Sequence, residues 1–198
     1  MKAKKIILMI LIAVYIVALS ACDDSSKTTA PTEESIPADN DSFYIISTNE
    51  DLTYSYQIVA KNGDILFSDD HSPREPHIDW VSDHVLSVTI QTGTGRSTNW
   101  AVFCDVENGR TSKVYQYVLG AQDNYVFYVE SEDSNYCLVV EDIFDSNIYR
   151  KTYTLQDCGA FADPVCALTF ESKGKAIITY LTGNENAVSQ TSATIYFP

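Results

Sequence analysis

The stretch of the chain richest in side chains that could do chemistry is residues 69–79, which reads DDHSPREPHID. It contains His71 and His77, two of the three histidines, and four carboxylates that include Asp70 and Asp79. Imidazole and carboxylate groups together can bind zinc or another transition metal. The spacing matches no ligand pattern of a helix or strand, and polar loops between strands commonly have this composition. We therefore expect no metal and keep His71, His77, Asp70 and Asp79 only as weak candidate ligands.

Two other polar segments could do chemistry if the fold placed them suitably. Carboxylates at residues 130–133 and 141–142 could hydrolyse a glycosidic bond if two of them faced each other across a cleft. The run TGTGRST at residues 92–98 has the glycines of a phosphate-binding loop, but it lacks the lysine of that motif and is expected between strands. It predicts a hairpin tip. The sequence contains no serine-hydrolase elbow and no HExxH motif, so the expectation is a protein that is not an enzyme.

Strands must position these segments, because the apolar residues after position 43 alternate with polar ones and show no helical period. Residues 86–90 place Leu, Val and Ile on one face and Ser and Thr on the other, and residues 54–58 alternate in the same way. The Asn-Gly pairs at 62–63 and 108–109 lie between such runs and indicate hairpins, since the type I′ turn favours this dipeptide.

The predicted fold class is all-β, an antiparallel meander of hairpins in a single domain, residues 43–198. Residues 79–93 align with residues 169–183 without a gap and share four identities in 15. The offset corresponds to two units of about 45 residues, a length typical of propeller blades. A middle unit would begin near Asp123 and a partial first unit would span residues 43–67. Hairpins of similar pattern can match by chance, so a small or partial β-propeller-like fold and a β-sandwich both stay open.

The N-terminal residues have the pattern of an export signal. Three lysines among the first five residues precede an apolar run from Ile6 to Leu19, which is shorter than the approximately 20 residues of a spanning helix. With Leu19-Ser20-Ala21-Cys22 it resembles the signal peptide and lipobox of bacterial lipoproteins. The resemblance implies that residues 1–21 are removed, that Cys22 is acylated, and that the protein is held on the extracytoplasmic face of the cell membrane.

The segment after the lipobox predicts a tether. Between residues 23 and 41 the chain has one large aliphatic residue, Ile36, and two prolines. Such a composition cannot bury enough apolar surface to offset the entropy of ordering. Residues 22–42 are therefore expected to be a lipidated cysteine followed by a disordered tether.

The charge of the chain limits its partners. Removal of residues 1–21 leaves 10 basic and 27 acidic residues, a formal net charge of −17. That balance argues against nucleic acid, whose phosphates bind Lys and Arg, and against an electrostatic hold on anionic lipid. The lipid anchor is the expected contact with the membrane, and no cofactor is expected.

The remaining cysteines leave two alternatives. An even number in an exported chain suggests two disulfides, with Cys158 paired to Cys166 across a short loop and Cys104 to Cys137. Four free thiols that pack as small hydrophobic side chains are the equal alternative.

The body of the chain, at residues 138–145 and 178–183, resembles uncharacterised exported β-rich proteins of Firmicutes, a family that implies no activity. The sequence as a whole predicts a lipid-anchored extracytoplasmic lipoprotein with a non-enzymatic binding or structural β-domain of unknown ligand. An envelope protein or a glycan is the expected partner. The alternative is an envelope hydrolase that uses carboxylates or a metal near His71 and His77.

Overall fold

Four antiparallel sheets follow one another along the chain, each a meander of hairpins. The computed structural model describes residues 43–132, 135–184 and 186–198, which belong to one compact unit. The predicted all-β antiparallel class is confirmed. Cys22 and the predicted signal and tether lie outside the described residues.

The first sheet consists of β1 (Tyr44–Thr48), β2 (Tyr54–Val59) and β3 (Ile65–Ser72). The second consists of β4 (His77–Trp80), β5 (Val85–Gln91) and β6 (Asn99–Asp105), with β7 (Arg110–Thr111) and β8 (Tyr115–Gln116) paired to β6. The third consists of β9 (Val118–Gln122), β10 (Tyr125–Glu132), β11 (Asn135–Asp142) and β12 (Arg150–Leu155). The fourth consists of β13 (Val165–Ser172), β14 (Lys175–Asn184) and β15 (Ala187–Tyr196). A short 3-10 helix, Arg96–Thr98, precedes β6.

Three hydrophobic cores join the four sheets, one between each sheet and the next, in a sandwich-like arrangement. Strand β10 contributes side chains to two of these cores, because successive side chains of a strand point to opposite faces. Val126 and Tyr128 pack against the second sheet, whereas Phe127 and Val129 pack against the fourth. The second and third sheets are therefore buried on both faces.

The weak sequence repeat corresponds to equivalent hairpins in the second and fourth sheets. Ile78 pairs with Val88, and 90 positions later Leu168 pairs with Ile178. The sequence placed two unit boundaries wrongly. The third sheet begins at Val118, before Asp123, because β9 contains Gly120 and lacks a clear strand pattern. The first sheet extends beyond residue 67 to Ser72.

The predicted hairpin positions are confirmed, although the turn type is not. The pairs 62–63 and 108–109 connect β2 to β3 and β6 to β7. Gly63 and Gly109 have φ of 90° and 65°, but the asparagine before each does not have positive φ. A type I′ turn needs positive φ at both residues, so these turns belong to another class.

Candidate functional site

A cleft of about 520 Å³ opens between the second and third sheets. Its walls carry three tyrosines together with charged, amide and hydroxyl side chains. We call it the tyrosine cleft, and it is lined by Ser97, Lys113, Val114, Tyr115, Gln116, Tyr117, Tyr128, Val129, Glu130 and Ser131. Ligand sites in proteins commonly combine ring surfaces with a few fixed polar groups in this way.

The chain crosses from the second to the third sheet through Tyr117, which forms one wall of the cleft. This single residue joins β8 to β9 and has φ of 52°. Left-handed backbone at a bulky residue costs about 1–3 kcal/mol and recurs at functional sites. The carbonyl of Tyr117 accepts a hydrogen bond from the Val129 N–H (3.1 Å), and its hydroxyl donates to the carboxylate of Asp163. The surrounding contacts therefore hold the ring in this position.

A buried carboxylate lies behind the lining side chains. Glu141, at the end of β11, is 1% exposed. Its Oε1 is 2.5 Å from Lys113 Nζ, and its Oε2 is 3.2 Å from Arg150 Nε and accepts the Tyr128 hydroxyl at 2.9 Å. Burial raises the pKa of Glu141, but the contacts with Lys113 and Tyr128 outweigh burial, so the pKa is below its ordinary value. The carboxylate is ionised at neutral pH.

The Glu141 carboxylate also holds Lys113 and the tyrosine rings of the cleft in place. Lys113 Nζ lies 4.9 Å from the centroid of the Tyr115 ring and 5.8 Å from that of Tyr128, distances typical of cation–π contacts. The Tyr115 hydroxyl donates to the Ile143 carbonyl at 2.8 Å. Burial and the nearby Glu141 raise the pKa of Tyr115, so the phenol stays neutral. The buried rings and the charges are thus held in place by contacts within the protein.

A second cleft, of about 420 Å³, lies where β4 and β5 approach β9. Two of the weak metal candidates line it, with His77 Nε2 2.6 Å from Asp79 Oδ2 on the exposed surface. His71 and Asp70 lie on β3 of the first sheet. Across residues 43–132, 135–184 and 186–198, no three His, Cys, Asp or Glu side chains form a group that could hold a metal ion. The four candidates are therefore not brought together as a site.

The glycine-rich run at residues 92–98 connects the antiparallel strands β5 and β6, as predicted for a hairpin tip, and it also contacts a distant part of the chain. Its 3-10 turn binds the carboxylate of Asp163, from the loop before the fourth sheet. The Arg96 N–H donates to Asp163 Oδ2 at 2.6 Å, and the Tyr117 hydroxyl donates to Oδ1. Backbone N–H groups thus bind an anion, but the anion is a side chain of the same protein. We call this contact the Asp163 latch, and it holds two residues that line the tyrosine cleft, Ser97 and Tyr117.

The acidic segments singled out in the sequence are partly explained by internal contacts. Glu130 Oε1 is 2.7 Å from an Arg150 guanidinium nitrogen. Asp142 accepts the N–H groups of Phe144 and Asp145 at 3.0 and 2.9 Å. Residue 133 lies outside the described residues. Glu130 therefore pairs with a cation of β12 within the third sheet, and Asp142 stabilises the turn that follows β11.

All four described cysteines are free thiols, and neither Cys158–Cys166 nor Cys104–Cys137 is bridged. Cys104 packs in the core between the first and second sheets, whereas Cys137 lies on β11 of the third sheet. Cys158 Sγ donates to the Leu155 carbonyl at 3.1 Å, and Cys166 Sγ faces the Pro164 carbonyl at 3.9 Å. Burial raises the pKa of Cys104 to about 11.

Sequence reasoning singles out the acids at 130 and 141 but does not bring them together with Lys113 and the tyrosines in one cleft. Its lining comes from two strands, β8 and β10, together with the connections on either side of β8 and the 3-10 turn. Glu141 lies behind the lining on β11, so no local motif joins Lys113 to Glu141. The acid at position 141 ends the apolar run of β11 where burial continues, and it is the clearest sequence signal of the site.

Comparison with known protein families, curated proteins and solved structures finds no match for this chain. In the described part of the chain, no helix combines the length and the apolar character that crossing a bilayer requires.

Proposed function

We propose that this protein is a lipoprotein anchored through Cys22 on the extracytoplasmic face of the cell membrane, and that its β-domain binds a ligand in the tyrosine cleft without catalysing a reaction. The observation that carries the binding role is the cleft itself, with a floor of buried tyrosines and with charges already fixed in place. The lipobox residues at 19–22 support the anchor. In finer detail, we propose that the four sheets are propeller-like blades, because each is a meander that packs on the next in chain order.

The chemistry of the cleft favours an envelope glycan or a segment of an envelope protein as the ligand. Tyr115, Tyr117 and Tyr128 are 2%, 6% and 6% exposed and form the floor of the cleft, whereas Val114 offers exposed apolar surface to a ligand. Gln116, Ser97 and Ser131 add amide and hydroxyl groups that can exchange hydrogen bonds with a polar ligand. Lys113 and Glu141 neutralise each other, so the binding need not depend on a strongly charged ligand.

The anchor is tested by replacing the acylated residue. Cys22→Ser in the full chain should abolish labelling by radioactive palmitate and release the protein from the membrane fraction, because two or more acyl chains are needed for stable attachment. The wild-type chain is the control. Absence of label in the wild type, or complete retention of the unlabelled variant in membranes, would contradict the anchor.

The binding role is tested by filling the cleft. Ser131→Trp places a large ring at an exposed position of the lining and should reduce binding of purified envelope glycan by the lipidated protein. Ser68→Trp, at an exposed position of β3 outside the cleft, is the matched control and should bind as the wild type does. Equal binding by both variants would contradict the site. Release of hydrolysed glycan by the wild type would contradict the non-enzymatic role and favour the hydrolase.

A further inference from the structure

Each sheet has one edge formed by its last strands in the chain, which we call its outer edge: β3, β7 with β8, β12 and β15. The outer edges of the first three sheets are protected against pairing with another strand. An edge strand presents unpaired N–H and C=O groups, and proteins protect such edges with charges, bulges or short strands. Strand β3 carries Asp69 and Asp70, contains two register shifts, and contacts Thr111 of the second sheet. Strand β12 begins with Arg150 and Lys151, and β7 and β8 have two residues each.

The outer edge of the fourth sheet lacks these features. Strand β15 has ten residues, AVSQTSATIY, with no charged residue and no proline. Its register with β14 runs through ten successive pairs without a shift. Eight of its ten residues are exposed. At one end the Tyr153 hydroxyl donates to the Tyr196 carbonyl at 2.8 Å, which leaves the edge open from Ala187 towards Thr194 in the described structure.

We propose that β15 pairs with β15 of a second copy of this chain, so that the two fourth sheets form one continuous antiparallel sheet. A second copy fits this edge because the chain is strongly acidic and β15 is uncharged. Two copies can approach here without opposing carboxylates, whereas pairing along β3 would bring Asp69 and Asp70 of both copies together.

Pairing two copies through β15 keeps the core-facing side of both fourth sheets on the same side. A two-fold axis perpendicular to the sheet makes the strands antiparallel and keeps corresponding faces on the same side. The core-facing residues Ala193 and Ile195 of both copies therefore remain on one face. The axis passes near Thr191, at the middle of the strand. Each three-stranded sheet then becomes half of a six-stranded sheet.

Cross-linking of the full chain in its own membrane tests the pairing. Thr191→Cys should give a product of twice the protomer mass with a short bismaleimide linker, because the two substituted residues lie beside the axis. The wild type, with its native thiols, sets the background. Ser68→Cys, on the exposed surface of β3, is the matched control and should remain at that background.

A second substitution separates pairing from chance encounter. Gln190→Lys added to Thr191→Cys should abolish the dimer, because it places like charges along the edge, whereas Ser68→Lys added to Thr191→Cys should leave the dimer intact. Background cross-linking by Thr191→Cys, or a dimer that survives Gln190→Lys, would overturn the proposal. A product of Thr191→Cys with a protein of different mass would overturn the assignment of a second copy. None of these outcomes depends on whether the tyrosine cleft binds a ligand.

Discussion

The third sheet uses its two faces for different purposes. Towards the fourth sheet it presents Phe127, whose ring meets Phe170 and Phe197 edge to face with centroids 5.1 and 4.9 Å apart. Towards the second sheet it presents Tyr128, whose hydroxyl reaches the buried Glu141. The first interface is apolar and closely packed, whereas the second contains ion pairs, hydroxyl groups and a cleft. We infer from the comparison that the interface with the fourth sheet stabilises the fold, and the proposed binding site lies at the interface with the second sheet.

The largest expected effect is in the apolar interface. Phe127→Ala should lower the free energy of unfolding by about 3–5 kcal/mol, because it removes a fully buried ring and leaves a cavity. Denaturation by urea, followed by tyrosine and tryptophan fluorescence, measures this change. A loss below about 1 kcal/mol, the scale of an exposed contact, would contradict the assigned role of this interface.

The buried carboxylate of the polar interface should have the next largest effect. Glu141→Gln keeps the shape but removes the charge that Lys113 and Arg150 contact, and should cost about 1–3 kcal/mol of unfolding free energy. Glu171→Gln is the matched control, because Glu171 forms a partly exposed pair with Lys175 that should contribute about 0–1 kcal/mol. Equal losses in the same urea experiment would show that burial of Glu141 is unimportant.

The pH dependence of stability sharpens the same comparison. The folded pKa of Glu141 is below its ordinary value of 4.5, so its contribution is present above pH 4.5 and is lost as pH falls through the folded pKa. The wild type should therefore lose more stability on acidification than Glu141→Gln does. Urea midpoints measured between pH 7 and acid test this expectation, and parallel curves for the two proteins would contradict it.

The smallest expected effect is at the Asp163 latch. Asp163→Ala removes the acceptor of the Arg96 N–H and of the Tyr117 hydroxyl, and should cost about 1 kcal/mol because the first hydrogen bond is exposed and the second only part-buried. Amide hydrogen exchange should become faster at residues 92–98 and unchanged in the fourth sheet. Asp64→Ala, at an exposed turn, is the control. Unchanged exchange at residues 92–98 would show that the latch does not order this segment.

The fold could be predicted from the sequence where apolar and polar residues alternate clearly along a strand. It could not be predicted where contact with another sheet determines which residue type fits. Residues 54–58 and 86–90 show the alternation, and the hairpins that follow them, at 62–63 and 92–98, lie where the sequence predicts. Strand β9 was missed because Gly120 gives no strand signal. A Cβ at Gly120 would lie 3.3 Å from the Phe170 ring, so the close approach of the fourth sheet favours glycine there.

The site was harder to predict than the fold because it depends on contacts across sheets. Lys113 has an ordinary position in a polar connection, and its place between two tyrosine rings follows only from the packing of β8 against β10. The loop at 92–98 was interpreted from its neighbours in sequence, but its partner, Asp163, lies 67 residues after Arg96. Spacing along the chain contains no information about such pairs.

The most direct test of the binding role is amide hydrogen exchange of the lipidated protein in membranes, with and without purified envelope glycan. The proposal predicts that the glycan slows exchange at residues 113–117 and 128–131, which line the tyrosine cleft, and leaves β13 to β15 unchanged. Slower exchange only in the fourth sheet, or no change at the cleft at saturating glycan, would contradict the proposal.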